Sequence, residues 1–258
     1  MGVESFRPAE STADDGIVFA MAERWRMLAQ DGAGFQFRPA AEAAELRRLS
    51  RLSALSNPAG MPAEAIARVW RALAGEMLVA RGLKAVHVAG GDPAQSLQGA
   101  RGYFGFGANI VQINDIRDAL ERAEAATGVL ACLPWPENAG PGQWWPMLNE
   151  NRFRALAIVA GWPTLPGDAG AGARMAIVGK LPIEASGEDD MLATAHDDRF
   201  ACERALAEAG LPGEAVARAR SLALIRLKEF VAPDDPRLEI ARRAGLDGLR
   251  IVGVRPRP

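Results

Sequence analysis

The chain of 258 residues holds only two histidines, and the chemistry open to each differs. His87 falls inside the apolar run Ala85-Val86-His87-Val88-Ala89, a setting that suits a core or strand-edge imidazole better than a proton-transfer catalyst. His196 is followed by Asp197 and Asp198, which together have the donor types of a metal site. No second histidine lies nearby, so the trio reads as a polar turn at a strand end, and no metal is expected. Gly102, Gly105 and Gly107 follow a helical pattern and precede a strand, the reverse of a dinucleotide-binding loop, and no cofactor is expected either. Cys132 and Cys202 stand far apart without metal-ligand spacing and read as reduced, buried thiols. Trp135, Trp144, Trp145 and Trp162 crowd a proline-rich stretch. They suit the roof of a sheet, or the wall of an aromatic pocket. Arg47, Arg48 and Arg51 share a helix and read as a solvated face.

These groups sit in a chain that is 49% hydrophobic and 24% charged, enough to bury a core. A net charge of -2 and a pI near 5.8 argue against nucleic acid and against an anionic membrane as partners, while leaving room for arginine clusters that hold a small anion. The first residues lack the apolar core of a secretory signal, and runs such as Ala155 to Ala160 are too short to span a bilayer, so a cytoplasmic location is expected.

The elements that must position the side chains follow from periodicity. Residues 1–14 form a polar leader. Ile17, Met21, Trp25 and Leu28 recur at helical spacing, and Gly32 with Gly34 ends that helix. Leu46, Leu49, Leu52 and Leu55 mark a second helix behind Pro39, and Asn57 to Gly60 breaks it. Pro62 opens a third, running to Arg81, with Ile66, Val69, Leu73, Met77 and Ala80 on one face. From Lys84 strands alternate with helices, which predicts a small parallel α/β lobe. The last third reads strand, helix, strand, strand, helix, strand, the βαββαβ order of a ferredoxin-like unit. The expected class is therefore α+β, with a helical unit over 15–82, an α/β lobe over 83–186 and the ferredoxin-like unit over 187–258.

Three signatures in this order carry a resemblance. Asp15 to Arg24 with Phe37-Arg38-Pro39-Ala40-Ala41-Glu42-Ala43 and Pro62 to Arg81 looks like an all-helical chorismate mutase. Val86-His87-Val88-Ala89-Gly90-Gly91 and Leu133-Pro134-Trp135-Pro136-Glu137-Asn138 are similar to the first lobe of prephenate dehydratase. Glu229-Phe230-Val231, Asp234 to Leu238 and Ile251-Val252-Gly253 resemble the back half of an ACT domain. The chain thus resembles the bifunctional chorismate mutase/prephenate dehydratase proteins.

That resemblance implies a rearrangement of a dianion held by cations and neutral donors, with no cofactor. Arg24 and Glu42 match two of the family's site residues, and Arg38 and Arg81 stand where a cation is able to substitute; an exposed or interhelical ion pair is the favoured reading of Arg24 and Glu42 over catalysis. Ala41 replaces an arginine, no lysine precedes Lys84, and Met77 and Arg81 occupy the positions of a serine and a glutamine. A chorismate mutase of weak or absent activity is therefore expected. The stretch from Asn138 to Ser186 is too short for a second dehydratase lobe, and Asn151-Arg152-Phe153 lacks the hydroxyl of the family's Thr-Arg-Phe motif, so dehydratase activity is expected to be absent. The partners implied are a small anion such as chorismate or prephenate, or an aromatic amino acid. The alternative is a non-catalytic amino-acid sensor or assembly protein. In either case the small helical unit suggests a homodimer.

Overall fold

The computed structural model describes residues 13–29, 35–56, 62–138, 143–163 and 174–257. Most of the expected leader, the Gly32/Gly34 stop and the Asn57–Gly60 break lie outside them. Helix α1 (Ala13–Ala29) belongs to one compact unit, and residues from Phe35 onward to another. On α1 the side chains of Ile17, Val18, Phe19, Met21 and Trp25 are exposed.

In the second unit, α2 (Pro39–Ser56) and α3 (Ala63–Ala80) precede an alternating series. Strand β1 (Ala85–Val88) leads to α4 (Pro93–Phe104), β2 (Ile110–Gln112) to α5 (Ile116–Ala125), and β3 (Val129–Pro134) to short 3-10 turns over Pro136–Asn138, Trp145–Asn149 and Asn151–Phe153. Aspartates start the helices: Asp92 accepts from the Gln95 N–H and Asp115 from the Arg117 N–H, each filling an N-terminal donor left open by the helix. Strands β4 (Ala157–Trp162) and β5 (Met175–Gly179) follow. Then come β6 (Asp189–His196), α6 (Cys202–Glu208), β7 (Gly213–Ala219), β8 (Leu222–Leu227), α7 (Pro236–Arg243) and β9 (Asp247–Pro256).

Among the described residues, nine strands form one sheet in the order β2-β1-β3-β5-β4-β9-β6-β8-β7. Its last four strands are antiparallel and have the spatial order expected of a βαββαβ unit. Its first three are parallel, but β5 joins β3 antiparallel. The expectation of a parallel lobe is corrected there. Strands β4 and β5 are neighbours joined as an antiparallel pair, and such a pair needs no crossover helix. The two halves of the sheet meet where Ile158 of β4 pairs in parallel with Gly253 of β9. A Cβ at Gly253 would lie 2.4 Å from the Ile158 Cβ and 2.6 Å from its carbonyl oxygen, so only glycine lets these strands approach.

One face of the sheet is covered by α5 and the tryptophan-rich turns. Trp144 and Trp145 are fully buried over a core reaching from Leu120 on α5 to Leu224 and Val252. On the opposite face, α6 and α7 pack on Met191, Ala193 and Ile251, while Tyr103 and Phe104 of α4 join Phe37 against β1, β3 and β5.

Two other expectations change. The buried face of α3 is Ala67, Trp70, Arg71, Ala74, Met77 and Leu78, while Val69 is 66% exposed and Ala80 is also outward. The shift comes from a buried arginine, which a hydropathy pattern assigns to solvent. Arg47 is likewise not a solvated side chain. Its guanidinium donates to the carbonyls of Ser186 and Arg257, tying α2 to the edge of the C-terminal unit.

Candidate functional site

Of the four residues singled out by resemblance, Arg38, Glu42 and Arg81 lie in the second unit and Arg24 in the first. Glu42 lies in the first turn of α2, and its Oε2 accepts from Arg71 Nη1 of α3 at 2.7 Å. The Arg71 side chain is 3% exposed and its guanidinium carbon lies 4.1 Å from the centroid of the Tyr103 ring on α4. Three helices are thereby joined by one buried polar contact. Burial also holds the Tyr103 phenol above its ordinary pKa, so it stays a neutral hydroxyl. Arg38, just ahead of α2, turns outward to Glu184 at 3.5 Å. Arg81 caps the C-terminus of α3. Arg24 is on α1, in the other unit.

The histidine and tryptophan candidates resolve by their neighbours. His87 is 7% exposed on β1, and its pKa is lowered, chiefly by burial and further by the charge of Arg122, against a smaller opposing effect of Asp118. Asp197 accepts from the Ala201 N–H at 2.6 Å and from Arg218 at 2.7 Å, so this buried carboxylate is already satisfied as a turn-forming group. Phe153 is buried in its 3-10 turn, and Arg152 beside it pairs with Glu121.

An open cleft does occur where α3 and α4 lie side by side. Close contact of the helices is set by Gly75, whose Cβ position lies 1.9 Å from the Phe104 carbonyl oxygen, a distance no side chain tolerates. Beyond that contact the helices leave a cleft of about 600 Å³, within the range of small-molecule sites. Its lining includes Arg68 of α3, Leu97, Gln98 and Arg101 of α4, Phe106 beyond α4 and Trp162 at the end of β4. Phe106 is 86% exposed, whereas Trp162 is 4% exposed. The Trp162 indole N–H is buried and has no acceptor among the described residues. A buried indole donor is stabilised by an acceptor, and Trp162 is one of the residues that line the cleft. The site therefore offers flat aromatic surface, one directional donor and arginine at its edge.

Sequence reasoning had Trp162 as a pocket candidate but missed Arg68, Gln98, Arg101 and Phe106. The available signal was Gly105-Phe106-Gly107, an aromatic between two glycines directly after a helix. Nothing in the sequence placed α3 beside it.

No family model and no curated protein matches the chain. Among solved structures, chains similar to it include GqqA, described as a novel type of quorum-quenching acylase (17% identity, TM-score 0.45), covering 67% of this chain and 95% of that one. The prephenate dehydratase from Streptococcus mutans matches at 14% identity and TM-score 0.41, covering 67% of this chain and 99% of that one. The prephenate dehydratase in complex with L-Phe from Arthrobacter aurescens matches at 13% identity and TM-score 0.44, covering 67% of this chain and 90% of that one. At such identity and superposition, the functional reading rests on the chemistry of the site. Among the described residues, no helix is long and apolar enough to cross a membrane.

Proposed function

We propose that this protein binds a small aromatic carboxylate, of the class that chorismate, prephenate and the aromatic amino acids represent, in the cleft between α3 and α4. It does so as a sensor in aromatic amino-acid metabolism, with little or no chorismate mutase turnover. The observation that carries the reading is the cleft itself, which brings Phe106 and Trp162, whose buried indole N–H has no acceptor among the described residues, together with Arg68 and Arg101. A ring lies against Phe106 and Trp162, a carbonyl or carboxylate oxygen accepts a hydrogen bond from the indole N–H, and Arg101 meets the charge. The alternative, catalytic use of Glu42, requires a carboxylate that is available to substrate, and Glu42 is held by Arg71. Ala41 and the absent lysine withhold two cations from the dianion; such charge-assisted contacts are worth about 1.5–3 kcal/mol each.

Regulation through the ferredoxin-like unit over 187–258, as in ACT domains, and a cytoplasmic homodimer are part of this proposal. The exposed Ile17, Phe19, Met21 and Trp25 of α1 are suited to meeting a second copy. Two assays test the function. Calorimetry against chorismate, prephenate, phenylalanine, tyrosine and tryptophan is expected to show saturable heat with at least one. Chorismate consumption is expected to stay far below the common enzyme range of roughly 1–1,000 per second. Turnover within that range overturns the sensor reading.

A further inference from the structure

A second recess lies far from these residues in the chain, where the turn preceding β4 meets β6, β8, β9 and α7. It measures about 440 Å³ and is lined by Asn149, Arg154, His196, Leu222, Arg242 and Arg250, together with Gly248 and Leu249. No acidic residue is among the lining residues. The arginines are held differently. Arg250 donates to the carbonyls of Leu148 and Arg154, both at 2.6 Å, and Arg242 donates to the carbonyl of Leu249 at 2.8 Å. These bonds fix two guanidinium planes at the wall. The third, Arg154, is exposed and has no side-chain partner among the described residues.

Two further donors face the same space. Asn149 Oδ1 accepts from the Thr194 hydroxyl at 3.0 Å, while its Nδ2 is buried without an acceptor. His196 Nδ1 is 3.3 Å from the Ser221 hydroxyl, and the imidazole lines the recess. The neighbouring acids stand outside the lining: Glu239 pairs with Nη1 of Arg242 at 3.2 Å and with Arg243 at 3.3 Å, and Asp247 lies opposite His196 in the strand register. Arg154 and Arg250 remain as neighbouring like charges. Burial, and after it the charge of Arg154, lowers the pKa of Arg250.

We propose that this recess binds a phosphate group, as inorganic phosphate or as the phosphate monoester of a small metabolite, independently of the aromatic carboxylate cleft. A planar carboxylate is satisfied by one guanidinium fork, whereas the donors here come from several directions and suit the tetrahedral oxygens of phosphate. The volume exceeds that of the anion alone and leaves space for a short organic chain.

The test is a titration of the full chain with inorganic phosphate, against chloride at matched ionic strength, read by calorimetry and by the ring resonances of the two histidines. Saturable binding is expected, with the His196 resonances shifting and those of His87 unmoved. Arg154→Ala, which removes no contact that supports the fold, is expected to weaken binding about tenfold or more. Arg204→Ala, an exposed arginine of α6 outside the recess, is expected to leave it unchanged. Tighter binding of glycerol phosphate than of inorganic phosphate identifies an ester as the ligand, and equal binding identifies the free anion. Phosphate that acts no differently from chloride, an unmoved His196, or equal losses in the two arginine variants each overturn the proposal.

Discussion

Replacing Glu42 by glutamine separates a structural role from a catalytic one. The carboxylate oxygen is 2.7 Å from an Arg71 nitrogen, and the two side chains are 17% and 3% exposed. At that distance a pair of unit charges interacts by about 6 kcal/mol with an effective dielectric of 20, before desolvation is subtracted. Glutamine keeps the shape and one acceptor but leaves the guanidinium buried without a counter-charge. Breaking a buried pair from one side costs about 3–5 kcal/mol, and for a domain of this size that lowers Tm by about 6–20 °C. Removing both charges with Glu42→Leu and Arg71→Met is expected to recover most of the loss, because the buried guanidinium is removed together with its counter-charge. Urea unfolding of the wild type, Glu42→Leu, Arg71→Met and the double variant gives the coupling energy directly. A Glu42→Gln protein within about 0.5 kcal/mol of wild type, a change typical of surface sites, would refute the claim that this pair holds α2 on α3.

Three other outcomes follow from packing and burial. Gly253→Ala forces β4 away from β9, because its new methyl group meets Ile158 backbone, and it is expected to lose about 1–3 kcal/mol in denaturant unfolding. An unchanged midpoint contradicts the close approach. Burial pushes both Cys132 and Cys202 up to about 12, so at pH 8 each is expected to react with a disulfide reagent roughly a thousandfold more slowly than a free thiol, until urea exposes it. His87 has a lowered pKa in the fold, so the unfolded chain binds a proton first as pH falls below about 6.5, and stability declines from there downward. His87→Phe is expected to flatten that part of the stability profile, and an unchanged slope would place the effect elsewhere.

Where local pattern and tertiary structure agree, the fold is legible in the sequence. The two buried faces of the βαββαβ segment appear as alternation and helical spacing, and aspartate with proline marks the starts of α4 and α7. The phase of α3 was not legible, because the buried Arg71 is met by Glu42, 29 positions earlier, and by the Tyr103 ring of α4. The antiparallel entry of β5 escaped notice for a similar reason: strand direction depends on the partner, and β3 and β5 carry similar apolar runs. The cleft was half visible. Trp162 was a candidate by type, but Arg68 and Arg101 look like ordinary outward helix positions until α3 and α4 are laid together. The arginines of the phosphate recess were equally scattered, since Arg154 and Arg250 meet across 96 positions.

The central claim is that an aromatic carboxylate completes the unfilled hydrogen bond of Trp162. The chain has six tryptophans, so a nitrogen–proton correlation spectrum of the indoles contains few signals, and Trp162→Phe assigns the one concerned. Titrating the best ligand from the calorimetric panel is expected to move the Trp162 Nε1–H signal saturably, with the calorimetric affinity, and Arg101→Ala is expected to weaken both in parallel. A ligand that binds with measurable heat while the Trp162 indole signal stays in place would contradict the account.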